Sequence, residues 1–424
     1  MVWQWVFGSM AFFALCLGCE GAPLLRLETS LAPPYQELQG ARLTGESVET
    51  VQCVLDRLNH AYRVDIVPWK RAQSNLQNGL SDGFFSAIPQ PQLDKVAILS
   101  APIVLEKWFW FSLAPGLPPV ADFPPDFKIG VLRGSNQEQW LQERDIKISQ
   151  SVNQLSSLFR LLQIGRIDTF LADEHVMNEL LEEKSSHQAI LQRRFERYAP
   201  MGIYFSLGFL ASHPDFIHKF NQQIPFCAVR TMHVTLAEEQ QLRSMVDQAV
   251  MPLLKNDKLK AFLRVSNQQD PGLDMARIQQ LDEAWKAASD GKIAVPEWIS
   301  ALLSTPESQY LKQWQNRHQG VFREVLLTDS RGVLVASSEM TSDYWQGDEE
   351  KVSRPLHMAS ATSPEYLHGW FDQGDGKNPT ALIEYDESTR QFLVHVSYLI
   401  RDKQGVTGIL CLGINLEIAL KTLN

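Results

Sequence analysis

The stretch Thr341–Lys351 reads TSDYWQGDEEK. It sets Tyr344 and Trp345 between Asp343 and Asp348, with Gly347 at the turn. Large aromatics usually fill cores, so two in so acidic a loop ask for a reason. A flat aromatic shelf beside carboxylates would hold a cation or an amine, and Asp386, in the later stretch EYDEST, could join Asp343 and Asp348 in binding it. The same rings could instead pin the loop to a neighbouring helix while the acids cap turns, and the residues leave both alternatives open. The acids of the loop do not alternate as calcium ligands do, so no metal is expected. Elsewhere, Gly134, Ser135 and Asn136 stand where a strand gives way to a helix. Free N–H groups there would attract a carboxylate or another anion; alternatively Ser135 is a plain helix cap.

Signatures of catalysis are missing from the text. There is no G-x-S-x-G, no H-E-x-x-H and no phosphate-gripping glycine loop. The closest histidine pair, His213 and His218, misses the i,i+4 spacing that helical metal ligation needs. No cofactor is expected, and the chain reads as non-enzymatic.

At 424 residues the chain is too long for one ordinary core, and two domains are the natural division. Hydrophobic residues make up 44% and charged residues 21%, as in globular proteins. A net charge of −10 without any basic run argues against nucleic acid and anionic lipid as partners. The opening MVWQWVFGSMAFFALCLGCEGAP is apolar from Trp5 to Leu17 and small-residue-rich after it. This is the pattern of a signal peptide, too short to span a bilayer, so residues 1–21 are expected to direct export to the periplasm. LGC at Leu17–Cys19 allows a lipoprotein anchor at Cys19. Three cysteines remain, Cys53, Cys227 and Cys411. An odd number without paired spacing gives no disulfide framework, and all three are read as buried apolar thiols.

From residue 22 to about residue 235 strand and helix patterns alternate: LLRLETS, GESVETVQCVLDRLNHAY, RVDIVPW, KRAQSNLQNG, SDGFFSAI. The proline-rich APGLPPVADFPPDF is a connector. A second α/β series follows in KIGVLRGSNQEQWL and SSLFRLLQIGRIDTFLAD, and GIYFSLGFLAS with DFIHKFNQQI reads as a strand and helix returning to the first series. Such alternation implies a parallel or mixed sheet with helices on its faces. The pieces PWKRAQSNLQNGLSDG, AILSAPI, IGVLRGS, LLQIGRIDTFLADE and FIHKFNQQI, in this order, resemble the bacterial extracellular solute-binding proteins of the polar amino-acid type (family 3). The resemblance implies an α/β two-lobed periplasmic-binding-protein fold, with a middle lobe over about 114–200, closing on a small ligand. It also makes Asp173, in FLADE, the acid that pairs with a ligand amine. Members of that family place an Arg where this chain has Leu93, and that Arg clamps the ligand carboxylate. Arg71 or Arg133 would have to supply the charge here. Tyr35 and Trp69 are candidate apolar walls.

After residue 236 the texture changes. AEEQQLRSMVDQAVMPLLKNDKLKAFLRVSNQQ is a helix series with a kink expected at Pro252, and DMARIQQLDEAWKAASDG is another helix. REVLLTDSRGVLVASS and ALIEYDESTRQFLVHVSYLIRDKQGVTGILCLGINL read as antiparallel hairpins. Long helices ahead of hairpins argue for an α+β domain over residues 236–424. LLTDSRGVLVASSEMTSDYWQGDEEK, with LDEAWKA and IRDKQGVTGILCLGINLEIA, resembles the periplasmic PAS-like sensor domains of the Cache (PDC) type. That resemblance implies a pocket walled by the Asp343–Asp348 loop. Together the two likenesses imply an exported protein that captures a small polar or amine-bearing solute. It would report to an inner-membrane receptor, kinase or cyclase, or else serve the permease of an ABC-type uptake transporter. A dehydratase working in the cleft is the enzymatic alternative.

Overall fold

Residues 24–182, 191–228, 232–269, 273–358, 368–370, 383–386, 391–402 and 405–423 are described by a computed structural model. The expected export segment and Cys19 lie outside them. Among the described residues no helix is long and apolar enough to cross a membrane.

The alternating series folds as its periodicity requires. Strands Leu25–Thr29, Tyr62–Ile66 and Gly83–Ala87 run parallel to one another. Helices Glu46–Arg57 and Trp69–Gln77 connect them, with Val48, Val51, Val54 and Leu55 of the first helix turned inward. The second series repeats this with Ile129–Leu132, Gln150–Val152 and Thr169–Asp173, again parallel. Two long antiparallel strands, Val104–Ser112 and Gln192–Ser206, cross between the two parallel sets and join them into one mixed sheet. Each parallel set with its helices forms a lobe, and the crossing pair is the bridge between the lobes.

The second half forms a separate sheet in which every pairing is antiparallel. Its order is Leu334–Ser337, Phe322–Asp329, Gly405–Asn415, Gln391–Asp402, His368–Trp370, with Glu384–Asp386 pairing elsewhere on Gln391–Asp402. The hairpin turn is set by Asp329, buried, which accepts the N–H groups of Arg331 and Val333 and pairs with the Arg331 guanidinium. Helices Leu236–Leu254, Asp257–Gln269 and Met275–Ser289 precede this sheet. Thr235 and Glu238 close a capping box at the first of them. One hydrophobic cluster runs from Leu25 through Leu242 and Val325 to Leu420, so the two halves share a core.

Several elements differ from the sequence reading. The return strand starts at Gln192, and LGFLAS is a helix, capped by Ser206 through the N–H of Phe209. A short apolar run does not tell strand from buried helix; the serine was the signal. Helices Glu297–Leu303 and Pro306–Arg317 were not anticipated, although Thr305 before Pro306 is a cap followed by a first-turn proline. The first long helix continues through Pro252 and ends at Leu254. All nine residues of Val104–Ser112 are buried.

The cysteine reading is corrected. Cys53 and Cys227 form a disulfide across a separation of 174 residues, and among the described residues Cys411 is the free buried thiol. Counting cysteines cannot reveal a pair so far apart in the chain. Closing so long a loop restricts the unfolded chain strongly, so reduction, or the Cys53→Ser, Cys227→Ser variant, is expected to lower stability by about 3–5 kcal/mol. Urea unfolding with and without reductant checks this, and coincident curves would refute it.

Candidate functional site

The carboxyl ends of both parallel sets face each other, which is where open α/β sheets bind ligands. A cavity of about 520 Å³ lies there. The first lobe contributes Tyr35, Gln36, Trp69 and Ser86, and the second contributes Arg133, Ser135, Asn136 and Asp173. The crossing strands contribute Glu106 and Met201.

Local structure explains how each side chain arrives. Tyr35 follows strand Leu25–Thr29, and its carbonyl accepts from Ser47 N (3.1 Å). A Cβ on Gly45 would lie 2.5 Å from that carbonyl oxygen, and Gly45 has φ 113°, so only glycine lets the helix start press against Tyr35. Asp173 ends the strand Thr169–Asp173 and opens the helix Glu174–Glu182. Its Oδ1 accepts from Tyr35 Oη (2.9 Å) and Val176 N (3.1 Å), and its Oδ2 from Lys107 N (2.9 Å). Asp173 is 4% exposed, so it is neither a solvated surface acid nor an idle one. Burial raises its pKa, against the lowering effect of these three hydrogen bonds. Ser86 holds φ 65°, a left-handed conformation unusual for serine, and accepts from the Gln36 amide.

Six of the seven cleft residues read from the sequence therefore come together: Tyr35, Trp69, Arg133, Ser135, Asn136 and Asp173. Arg71 does not. It sits two residues after Trp69 on the same helix, and residues so spaced point to different faces; Trp69 turns to the cavity and Arg71 is exposed. Arg133 lines the rim with its guanidinium tied to Ser151 O (2.9 Å). The anion cradle is occupied from within. Glu138 accepts from Gly134 N (2.6 Å), and Ser135 Oγ accepts from Glu138 N (3.1 Å), which is the capping alternative. Leu93, in the place of the missing clamp, is fully buried against Phe84, Ala97 and Tyr204.

Sequence reading missed Glu106. It is 9% exposed and its Oε2 accepts from Trp108 Nε1 (2.5 Å) and Gln137 Nε2 (3.2 Å). Burial first, then the charge of Asp173, pushes its pKa up to about 8. The i,i+2 pairing with Trp108 puts both on one face of the strand, but nothing in VLEKWFWFS says which face meets a cavity.

The aromatic loop shows the contacts of the pinning alternative. Tyr344 N and Trp345 N both donate to Asp282 Oδ1 (2.9 Å each), on helix Met275–Ser289. Tyr344 packs against Trp285 and Trp298, and Trp345 Nε1 donates to Arg331 O (3.1 Å). Asp343 is buried beside Gln346; burial, then the charge of Glu349, pushes its pKa up to about 6. Asp348 is exposed, and Asp386 lies on the short strand Glu384–Asp386. A second polar cluster, unread in the sequence, sits on the same sheet. His395 lies 3.3 Å from Glu324 and 3.1 Å from Glu384. Burial alone would lower the His395 pKa, but the two carboxylates hold it at about 9. Among the described residues no group of three His, Cys, Asp or Glu could hold a metal ion.

No protein-family profile matches the chain, and no curated protein matches it. Solved structures do. A histidine kinase sensor domain with similarity to periplasmic binding proteins aligns at 15% identity over 48% of this chain and 90% of that one, with a TM-score of 0.40. The arginine-, lysine-, histidine-binding protein ArtJ from the thermophilic bacterium Geobacillus stearothermophilus aligns at 15% identity over 48% and 88%, TM-score 0.38. An ancestral amino-acid-binding protein, a precursor of cyclohexadienyl dehydratase, aligns at 18% identity over 48% and 88%, TM-score 0.38. At such identities and TM-scores none of these likenesses says what this chain binds.

Two stability outcomes follow from the contacts. Asp173→Ala removes a helix cap and leaves Tyr35 Oη and Lys107 N without their acceptor, so it is expected to cost about 2–4 kcal/mol, and Asp173→Asn less. Trp345→Ala opens a gap under the loop and is expected to cost about 2–4 kcal/mol. Chemical denaturation of the full chain measures both. Wild-type stability in Trp345→Ala would remove the pinning role and leave the ligand shelf as the reason for the ring.

Proposed function

We propose that the protein is a non-enzymatic, exported ligand-binding and sensing protein that captures a small amine-bearing solute between its lobes and relays that state to a membrane partner. One observation carries the reading: Asp173 lines a cavity of about 520 Å³, buried, and no lysine or arginine of the described residues is paired to it, His175 being the neighbour whose charge acts on it. A buried carboxylate in an apolar cleft is an amine site in waiting, since a charge-assisted bond there is strong. The Cys53–Cys227 bond fits an oxidising compartment and supports export. For residues 236–424 we read a PAS-like (Cache) sensor domain, supported by the antiparallel sheet set behind long helices.

Sensing leads over service to a transporter permease because of where the second half is attached. Lys107 Nζ, on a crossing strand, pairs with Glu238 Oε2 (2.8 Å) of helix Leu236–Leu254. Tyr198 N, on the other crossing strand, donates to Glu417 Oε1 (2.9 Å) of the final helix, Leu416–Leu423. The bridge between the lobes thus carries the second sheet's helices, a connection that a simple delivery protein does not need. Cleft-based dehydration is the enzymatic alternative that two buried carboxylates leave open; turnover of a prephenate-like acid by the purified protein would replace the binding reading.

A thermal-shift screen of amines and amino acids tests the proposal. A ligand present at a hundredfold its Kd is expected to stabilise the wild type by about 2.7 kcal/mol, and Asp173→Asn should lose most of that shift. A screen in which only compounds lacking an amine stabilise the protein would overturn the amine reading.

A further inference from the structure

The cavity holds a second acid, Glu106, and among the described residues no lysine or arginine pairs with it. Glu106 Oε2 is held by Trp108 and Gln137, while its Oε1 takes no hydrogen bond from a described residue and the side chain lines the cavity. Lys107, the next residue, cannot reach it, because alternation along the strand sends the ammonium to the opposite face, where Glu238 holds it. The same Lys107 donates its backbone N–H to Asp173, so the two carboxylates flank a single peptide on adjoining strands. The rest of the wall is largely hydrocarbon: Leu31, Leu132, Leu155, Val176, Leu180 and Met201. Arg133 is the basic side chain lining the cavity, and it is exposed at the rim and engaged with Ser151. Leu93 fills the place of the carboxylate clamp with core.

A zwitterionic α-amino acid that gave its amine to these acids would put its carboxylate into apolar, acid-lined space, with Arg133 at the rim and its guanidinium held to Ser151, at a steep desolvation cost. A cation on an apolar body would meet both carboxylates and the hydrocarbon wall. We propose that Glu106 and Asp173 together grip the head of an organic ammonium ion that carries no carboxylate, so that the cleft selects amines over α-amino acids. This rests on the reading of the cleft as the ligand site. It also predicts a proton exchange. Below about pH 8 the free Glu106 carboxyl retains its proton, while Tyr35 Oη and the charge of His175 act on Asp173 beside it; the bound cation favours the ionised pair, so binding expels that proton and affinity rises with pH.

Calorimetry on the full chain with matched probes tests this: 2-phenylethylamine against L-phenylalanine, and 3-methylbutylamine against L-leucine. The amines are expected to bind at least tenfold more tightly than their amino acids. Between pH 6 and 7.5 amine affinity should rise toward tenfold per pH unit, and buffers of different ionisation enthalpy should report release of one proton. Glu106→Gln keeps an oxygen acceptor for Trp108 and Gln137, and should abolish that pH dependence. Proton release in the wild type stands as evidence even if the variant folds poorly. If the amino acids bind more tightly, with Asp173→Asn weakening them and Glu106→Gln without effect, the inference fails and the cleft reading stands. If neither class binds, or if amines bind with both variants unchanged, the inference and the amine reading of the cleft fall together.

Discussion

The antiparallel pairing of Val104–Ser112 with Gln192–Ser206 is the constraint on which the other parts of the molecule depend. Every residue of the shorter strand has a partner on the longer one, and every one is buried. A strand buried on both faces must be covered on both, and its side chains alternate between them. Glu106 and Lys107 make the consequence concrete: adjacent residues, opposite charges, one serving the cavity and the other a helix of the second half. Burying an ammonium is tolerated only with a partner, so Lys107 fixes helix Leu236–Leu254 against the bridge as firmly as it removes itself from the cleft.

The bridge also carries an irregularity. Its pairing shifts register between Phe195 and Arg197, and the intervening Glu196 accepts from Trp110 Nε1 (2.8 Å) and lies 3.8 Å from Lys421. A bulge bends and twists a strand locally. Here it occurs beside the point where Tyr198 meets Phe392 of the second sheet, with ring centroids 5.4 Å apart. The bulge thus lies at one of the places where the bridge meets the second sheet.

Much of this was legible from residue patterns, and the failures have physical causes. Periodicity located most strands and helices, since apolar spacing reflects burial directly. Asp173 was reached through the resemblance that FLADE carries and not through its own spacing, whereas Glu106 lies among aromatics in a strand whose two faces look alike. Ser135 and Asn136 line the cavity, but the anion reading overlooked Glu138, three residues on from the serine, which completes the cap. Arg71 was misjudged because a helix separates neighbours that look adjacent in the text. The disulfide was invisible for a different reason: Cys53 and Cys227 are brought together by the lobe as a whole, not by any local pattern. The charge cluster around His395 was hidden likewise, since Glu324, Glu384 and His395 come from three strands.

The disulfide has a topological meaning beyond stability. Cys53 lies in the first helix and Cys227 just after the helix Phe216–Gln223, where the chain is about to leave for the second half. The second lobe is thus an excursion whose two ends return to a covalently closed base. A single backbone cut anywhere between those cysteines, including in the proline-rich connector, would leave one linked molecule and not two fragments. One nick opens the excursion without releasing it, and only a second cut on its other side would free it while the sulfurs stay joined.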